Sequence, residues 1–184
     1  MSVSFPPTAV ATPPASAGAA AQPDLIAALR ALDIPHTVYE HRAVFTVEEA
    51  EKIEHHIPGT HCRNLFLKDH KGRMFLLSLR NRTAVDLKKL SGALGAGRLS
   101  FGSPERLYTH LGVTPGSVCA FAVMNDHARA VTLVLESEMM NDPLITFHPL
   151  INTATVTLSP ADLVRFARHY GHEPVILACN HLGS

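Results

Sequence analysis

The sequence lacks excess charge, paired cysteines and long apolar runs. Its 16 basic side chains match 16 acidic ones, which argues against a protein that coats nucleic acid through many phosphate contacts. Cys62, Cys119 and Cys179 form no CxxC pair, so we expect reduced thiols in a cytoplasmic protein. No apolar run approaches the ~18 residues of a membrane span, and the N-terminus lacks the basic start of a signal peptide.

The common catalytic motifs are also missing. No GxSxG elbow, HExxH helix, Walker loop or GxGxxG turn is present, and no serine or cysteine has an obvious partnered base. If the protein is a hydrolase, we therefore expect it to work without a covalent nucleophile. His55, His56, His61 and Cys62 lie close together in "HHIPGTHC", but their spacing fits no zinc pattern. A metalloprotein is thus the weaker alternative, and no metal site is predicted.

Composition divides the chain into two parts. Residues 1–22 contain no charged side chain and are dominated by Ala, Pro and Ser, which is typical of a flexible leader. Residues 23–184 carry regular patterns of apolar residues and suit a single domain of ordinary size.

The patterns in this second part predict short helices mixed with strands. Thr46 and Glu49 form a capping box, and Ser103 and Gly112 mark the start and stop of another helix. Turn residues at 69–73 and 125–127 predict two hairpins. The result is an α+β fold with a mixed or largely antiparallel sheet. Helices are predicted at 23–34, 46–53, 83–90, 103–112 and 159–171, and strands at 35–41, 63–69, 74–80, 117–124, 128–136, 144–148, 153–158 and 174–177.

Lys68 ends a run, "RNLFLKD", that otherwise resembles a buried strand. Strand side chains alternate, so Asn64, Phe66 and Lys68 share one face. Lys68 is therefore either the solvated end of a hairpin arm or a cation at the rim of the sheet. Six further basic residues lie between positions 71 and 89; they form a solvated face or contact the phosphates of one nucleic-acid end.

Two further features have both a functional and a structural interpretation. In "GVTPGSV" (112–118), Gly112 and Gly116 bracket Pro115, and the backbone N–H groups of such a loop can bind an oxyanion. The same residues also suit a plain helix end followed by a turn. His148 ends an apolar strand, where it can orient a substrate or shuttle a proton, or serve as hydrogen-bonded scaffold.

Taken together, these motifs resemble a known family. The order "NLFLKD", "LRNRTAVDLKKL", "SFGSPERLYTHLGVTPGSV", "FAVMND" and "FHPLINTATVTLSPADLVRF" is similar to that of the YbaK-type aminoacyl-tRNA deacylases, and most similar to the free-standing prolyl-tRNA editing proteins. The resemblance runs from about residue 24 to residue 178. It implies a single YbaK-like domain with a mixed, largely antiparallel sheet or partial barrel flanked by short helices. One departure is Ala120, where the family often has proline.

The resemblance also implies a function and its residues. The expected activity is metal-independent, cofactor-free hydrolysis of mischarged aminoacyl-tRNA, above all Ala-tRNA(Pro), with the tRNA acceptor end and prolyl-tRNA synthetase as partners and neither DNA nor membrane. Alternatives are deacylation of Cys-, Ser- or Thr-tRNA, or a non-catalytic module that binds aminoacyl-tRNA or a synthetase. The implied catalytic residues are Lys68, to hold a phosphate, and His148, to position the aminoacyl end. The implied substrate-binding residues are Gly112, Thr114, Pro115, Gly116, Ser117, Asn125, Asp126 and Thr46.

Overall fold

One eight-stranded sheet organises the chain in the computed structural model, which describes residues 19–43 and 52–183. The strands are β1 (His36–Glu40), β2 (Thr60–Asp69), β3 (Met74–Arg80), β4 (Leu99–Phe101), β5 (Val131–Glu136), β6 (Ile145–Phe147), β7 (Ala154–Leu158) and β8 (Val175–Leu177). The helices are α1 (Gln22–Ala31), α2 (Leu87–Ala93), α3 (Pro104–Leu111) and α4 (Pro160–His169), with 3-10 helices at Ala120–Asn125 and Met139–Asn141. Residues 52–54 are also helical.

The sheet is mixed and open. Its strands lie in the order β1-β7-β6-β2-β3-β5-β8, and β4 pairs with the end of β2. The pairs β2–β6, β3–β5 and β5–β8 are parallel, whereas the other pairs are antiparallel. The predicted α+β class and mixed sheet are therefore confirmed.

Two apolar clusters cover different parts of the sheet. Helices α1, α3 and α4 pack on one face, where Phe66 and Phe147 are buried in the main cluster. The opposite face is covered at its β3 and β5 end by a smaller cluster that includes Leu77, Leu90 and Leu182. The remaining part of that second face, over β1, β7, β6 and the start of β2, belongs to neither cluster.

Capping residues set the helix boundaries. The hydroxyls of Ser103 and Ser159 accept hydrogen bonds from backbone N–H groups three residues later, so α3 and α4 begin as predicted. The helix predicted at 83–90 instead begins at Leu87. Its start is delayed because the Asp86 carboxylate accepts from two backbone N–H groups and acts as the cap.

The hairpin predicted around residues 125–127 is wrong. Its first arm is the buried 3-10 helix Ala120–Asn125, and its second arm, β5, pairs in parallel with β3. Asp126 explains the difference, because its carboxylate accepts from the N–H groups of Ala130 and Val131 and so directs the chain into β5. A short apolar run is compatible with either a strand or a buried helical segment. The three-residue strand β4 had no predicted counterpart.

Part of the chain lies outside the described residues. This applies to Thr46 and Glu49 of the predicted capping box and to most of the predicted leader. Within residues 19–43 and 52–183, no helix is long and apolar enough to cross a bilayer.

Candidate active site

Threonines and histidines occupy the sheet face that the main core leaves uncovered. Ile145 and Phe147 are buried in the main core, so alternation directs Thr146 and His148 to the opposite face. Thr157 lies across from Thr146 in the antiparallel pair of β6 and β7. Thr146 and Thr157 are only 2% and 3% exposed. Polar side chains on this face are therefore covered rather than solvated.

A small pocket of about 60 Å³ lies on this polar face. Residues from the segment 53–57 form one wall, and the ends of β6, β7 and the start of β2 form the others. The described lining residues are His41, Ile53, Glu54, Ile57, His61, Cys62, Thr146, Phe147, His148 and Thr155.

His148 is held as a neutral imidazole. Its Nδ1 lies 3.0 Å from the carbonyl oxygen of Ala154; because a carbonyl only accepts, Nδ1 carries the proton. Burial lowers the pKa of His148, and nearby His41 lowers it further, against the opposing effects of the Ala154 hydrogen bond and the charge of Glu54. The Nε2 lone pair of His148 is then the basic site that this residue offers at neutral pH.

The other two imidazoles in the pocket follow the same pattern. Each donates one N–H to a backbone carbonyl and accepts from a threonine hydroxyl at its other nitrogen. His61 bonds the Ile57 carbonyl at 3.1 Å and the Thr146 hydroxyl at 3.1 Å, and His41 bonds the Arg42 carbonyl at 2.9 Å and the Thr155 hydroxyl at 3.0 Å. Both nitrogens of each ring are therefore hydrogen-bonded.

Cys62 does not supply a nucleophile. Burial raises the pKa of its thiol to about 12, and the thiol donates to the Thr60 carbonyl at 3.3 Å. Because the thiolate is the reactive form, this cysteine is inert at neutral pH.

Lys68 lies away from the pocket. The pairing of β2 with β3 runs without a break from Cys62 to Lys68, so alternation places Lys68 on the face opposite His61. It also lies seven residues beyond His61, roughly 23 Å along the strand. The structure thus does not bring Lys68 and His148 into one pocket, and a catalytic role for Lys68 stays a prediction.

Arg63 is a cation that the sequence analysis did not select. Arg63 shares a face of β2 with His61. Because His61 pairs with Thr146 in the parallel register of β2 and β6, the residues two positions later, Arg63 and His148, lie at the same level of the sheet. Its Nη2 donates to the Thr83 carbonyl at 2.6 Å, whereas its buried Nε has no hydrogen-bond partner. Strand alternation could have singled it out, had the start of β2 at Thr60 and the pairing of β2 with β6 been predicted.

The loop at 112–118 is a type II turn that follows α3. The Ser117 N–H donates to the Thr114 carbonyl at 3.0 Å, and Pro115 and Gly116 form the exposed crest. Gly116 has φ +92°, and a side chain there would project into open space. The loop does not line the pocket, and it leads into the fully buried Cys119.

Asn125 and Asp126 make structural contacts. Asn125 donates to the Leu111 carbonyl at the end of α3 and accepts from the Ala20 N–H at 2.7 Å. Asp126 is 3% exposed, accepts from two backbone N–H groups and lies 3.7 Å from Nε2 of buried His172. All of these interactions are made within the chain, so the substrate-binding role of Asn125 and Asp126 stays a prediction.

The remaining predicted features add no described residue to the site. Thr46 lies outside the described residues. His55 and His56 are exposed, and His61 uses both ring nitrogens in hydrogen bonds. Within the described ranges, no group of three or more His, Cys, Asp and Glu residues is arranged to hold a metal ion.

Comparisons with known proteins agree with this architecture. The chain is 41% identical over 152 residues to prolyl-tRNA synthetase associated domain-containing protein 1 of Danio rerio, covering 82% of this chain and 83% of the relative. It is 38% identical over 149 residues to the prolyl-tRNA editing protein ProX of Acetoanaerobium sticklandii, covering 80% and 91%.

A solved structure shares the fold. The crystal structure of a candidate trans-editing enzyme for prolyl tRNA synthetase superposes with a TM-score of 0.64 at 19% identity, covering 91% of this chain and 99% of that one. A family model described as the aminoacyl-tRNA editing domain matches residues 41–166, which include the whole described pocket lining. This confirms the resemblance drawn from the motifs. The chain belongs to the aminoacyl-tRNA editing domain family.

Proposed function

We propose that this chain is a cytoplasmic trans-editing hydrolase that removes alanine from mischarged Ala-tRNA(Pro). Water adds to the ester carbonyl, the bond from the carbonyl carbon to the ribose oxygen breaks, and the products are free alanine and a tRNA hydroxyl. The observation that carries the proposal is the neutral His148 in a small pocket of a chain that belongs to the editing family. The names of the relatives further support proline tRNA.

The size of the pocket supports a small amino acid. Its volume of about 60 Å³ is a few times the ~10–15 Å³ that a single water needs, which suits the methyl group of alanine better than the proline ring. Such a site has a clear use, because a synthetase pocket gains only ~1–3 kcal/mol of discrimination from a missing methylene. A second pocket that excludes the larger, correct amino acid corrects this error.

His148 acts on the ester from its Nε2 lone pair. That nitrogen accepts a hydrogen bond from the attacking water or from the neighbouring ribose hydroxyl, which in turn orients the water. The family resemblance proposes the loop at 112–118 for the developing oxyanion, through the open backbone at Gly116. Because the loop does not line the pocket around His148, this role requires that the bound ester extend from the pocket to the loop. Thr114 and Ser117 would shape this loop, and Thr46 would line the pocket. The chemistry as proposed uses no metal.

Two cations compete for the phosphate of the terminal adenosine. The sequence motif favours Lys68, whereas the geometry favours Arg63, which lies on the same face as His61 and level with His148. Arginine also suits a phosphate through its paired N–H donors. We therefore propose Arg63 as the phosphate ligand at the pocket, with Lys68 contacting the tRNA farther from the ester.

The experiment measures deacylation of Ala-tRNA(Pro) and Pro-tRNA(Pro) by the wild type and by Arg63→Ala, Lys68→Ala and His148→Ala. We expect the wild type to cleave only the alanyl ester. We expect Arg63→Ala to lower kcat/KM by roughly 10- to 100-fold, the usual worth of a hydrogen bond to a charged group. Lys68→Ala should lower it by less than about threefold, as for an exposed charge contact.

The outcomes separate the alternatives. A large loss in Lys68→Ala with none in Arg63→Ala would restore Lys68 as the phosphate ligand. Cleavage of cysteinyl, seryl or threonyl esters in preference to alanyl would replace the substrate. If the wild type binds Ala-tRNA(Pro) but cleaves no ester, the protein is a binding module. Matching melting temperatures for all variants would show that the losses are not caused by unfolding.

A further inference from the structure

The pocket contains a carboxylate that the proposed hydrolysis does not use. His41, His61 and His148 each have one ring nitrogen bonded to a backbone carbonyl. Among the described lining residues, Glu54 is the only carboxylate. A carboxylate in the wall of a small pocket favours a cationic group on the ligand.

Glu54 is held in position but retains capacity for another donor. Its Oε1 accepts from Nδ2 of Asn81 at 2.9 Å and lies 3.9 Å from Nδ1 of His61. The side chain is 32% exposed, and an ionised carboxylate has about four acceptor positions. A donor entering the pocket can therefore bind Glu54 without displacing Asn81.

Other acidic groups of the protein differ in this respect. The buried carboxylates of Asp126 and Glu136 accept from backbone N–H groups, and neither lines the pocket. Glu54 differs from these two carboxylates because it lines the pocket and its hydrogen bond comes from the side-chain amide of Asn81 rather than from a backbone N–H.

The proposed substrate carries a matching cation. Every aminoacyl ester has an α-amino group next to the reacting carbonyl, and such groups are protonated in part near neutral pH, with a reference pKa of about 7.7–8.0. We infer that Glu54 binds the α-ammonium group of the aminoacyl ester, so that the pocket selects free aminoacyl esters over N-acylated or deaminated ones. This inference rests on the proposed function and adds a selectivity that size exclusion does not provide.

The test compares Ala-tRNA(Pro) with lactyl-tRNA(Pro), in which a hydroxyl of similar size replaces the α-ammonium. Wild type, Glu54→Gln and Glu40→Gln are assayed for kcat/KM on both esters. In Glu54→Gln, the amide oxygen can still accept the hydrogen bond from Asn81. Glu40→Gln is the matched control, because Glu40 is an exposed carboxylate on β1 that does not line the pocket. Because the two esters differ in intrinsic lability, the decisive quantity is their ratio in each variant relative to the wild type.

We expect Glu54→Gln to lower the alanyl-to-lactyl ratio about tenfold, the worth of one charged hydrogen bond, whereas Glu40→Gln leaves it unchanged. An unchanged ratio in Glu54→Gln, or an equal loss on both esters, overturns the ammonium assignment while wild-type hydrolysis of Ala-tRNA(Pro) still supports the proposed function. If the wild type cleaves neither ester, the proposed function itself fails.

Discussion

Alternation along β2 decides which of its cations lies on the same sheet face as the pocket histidines. Arg63 follows His61 on the polar face, whereas Lys68 lies on the face of Phe66, opposite Met74 and Ser100. This position is compatible with Lys68 as the solvated end of the strand, because its long stem can cover apolar surface while the ammonium stays in water. Arg63 and Lys68 carry the same charge, but they lie an odd number of positions apart, so their side chains point to opposite faces of the sheet.

The protonation state of His148 should control the activity. Burial lowers its pKa below the ordinary 6.5, so we expect the contribution of His148 to kcat/KM to be constant near pH 7 and to be lost only when the pH drops below 6.5. A pH profile of Ala-tRNA(Pro) deacylation, corrected for uncatalysed hydrolysis, measures this. His148→Gln should show a much lower rate without the acidic decline. A decline centred at or above pH 6.5 would contradict the assignment.

The same shift predicts a change in stability with a defined sign. Because the folded state holds His148 with a lowered pKa, the unfolded state takes up the proton first as the pH falls. This residue therefore removes stability below pH 6.5, and the loss continues until the folded pKa is passed. The melting temperature of His148→Gln should fall less steeply over that range than that of the wild type.

At the scale of single elements, the end of α3 depends on Gly112. This glycine has φ +65°, and an added Cβ would lie 2.8 Å from Nδ2 of Asn125 and 2.9 Å from Cβ of Ala19. Gly112→Ala should therefore lower the free energy of unfolding by about 1–2 kcal/mol or more. Gly92, in the exposed part of α2, has open space around it, so Gly92→Ala should raise that energy by up to about 1 kcal/mol.

Urea denaturation of both variants measures the two effects. Opposite signs are expected, since the same chemical change meets a left-handed backbone in one element and a helical one in the other. Equal destabilisation by both would show that α2 does not tolerate a methyl group at residue 92. No effect at Gly112 would mean that Asn125 and the segment before α1 move away without cost.

Elements with local signals were predictable, and those that depend on distant partners were not. The Ser-Pro starts of α3 and α4 specify their own caps, so both helices begin where the sequence indicates. The run at 117–124 carries no such signal and folds as a 3-10 helix because the surrounding core buries it. The parallel partner of β5 lies more than fifty residues earlier, and no local pattern encodes that choice.

The same limit applies to the candidate site. His148 could be identified from its place at the end of an apolar strand, and the structure places it in the pocket. His41, Glu54 and His61 come from separate segments that only the fold brings together. Arg63 was missed because its importance depends on the register between β2 and β6.

At the scale of the whole molecule, stability should be highest in the centre of the sheet. Strand β3 pairs with β2 and β5, and all its residues except Arg80 are buried. Strand β8 pairs with β5 alone, and Val175 and Ile176 are 40% and 48% exposed. Amide hydrogen exchange followed by mass spectrometry should therefore show the slowest exchange in β3 and much faster exchange in β8. Equal protection of the two strands would indicate that a second chain covers the β8 edge.

In each imidazole of the pocket, the nitrogen that carries the proton is determined by a main-chain carbonyl. His41, His61 and His148 each donate to a backbone carbonyl, and every amino acid supplies that carbonyl. A substitution at Arg42, Ile57 or Ala154 that preserves the path of the chain therefore preserves the tautomer of the histidine that it contacts. The pocket can thus accumulate changes in its neighbouring side chains, and its selectivity can diverge, while its acid–base chemistry is inherited unchanged.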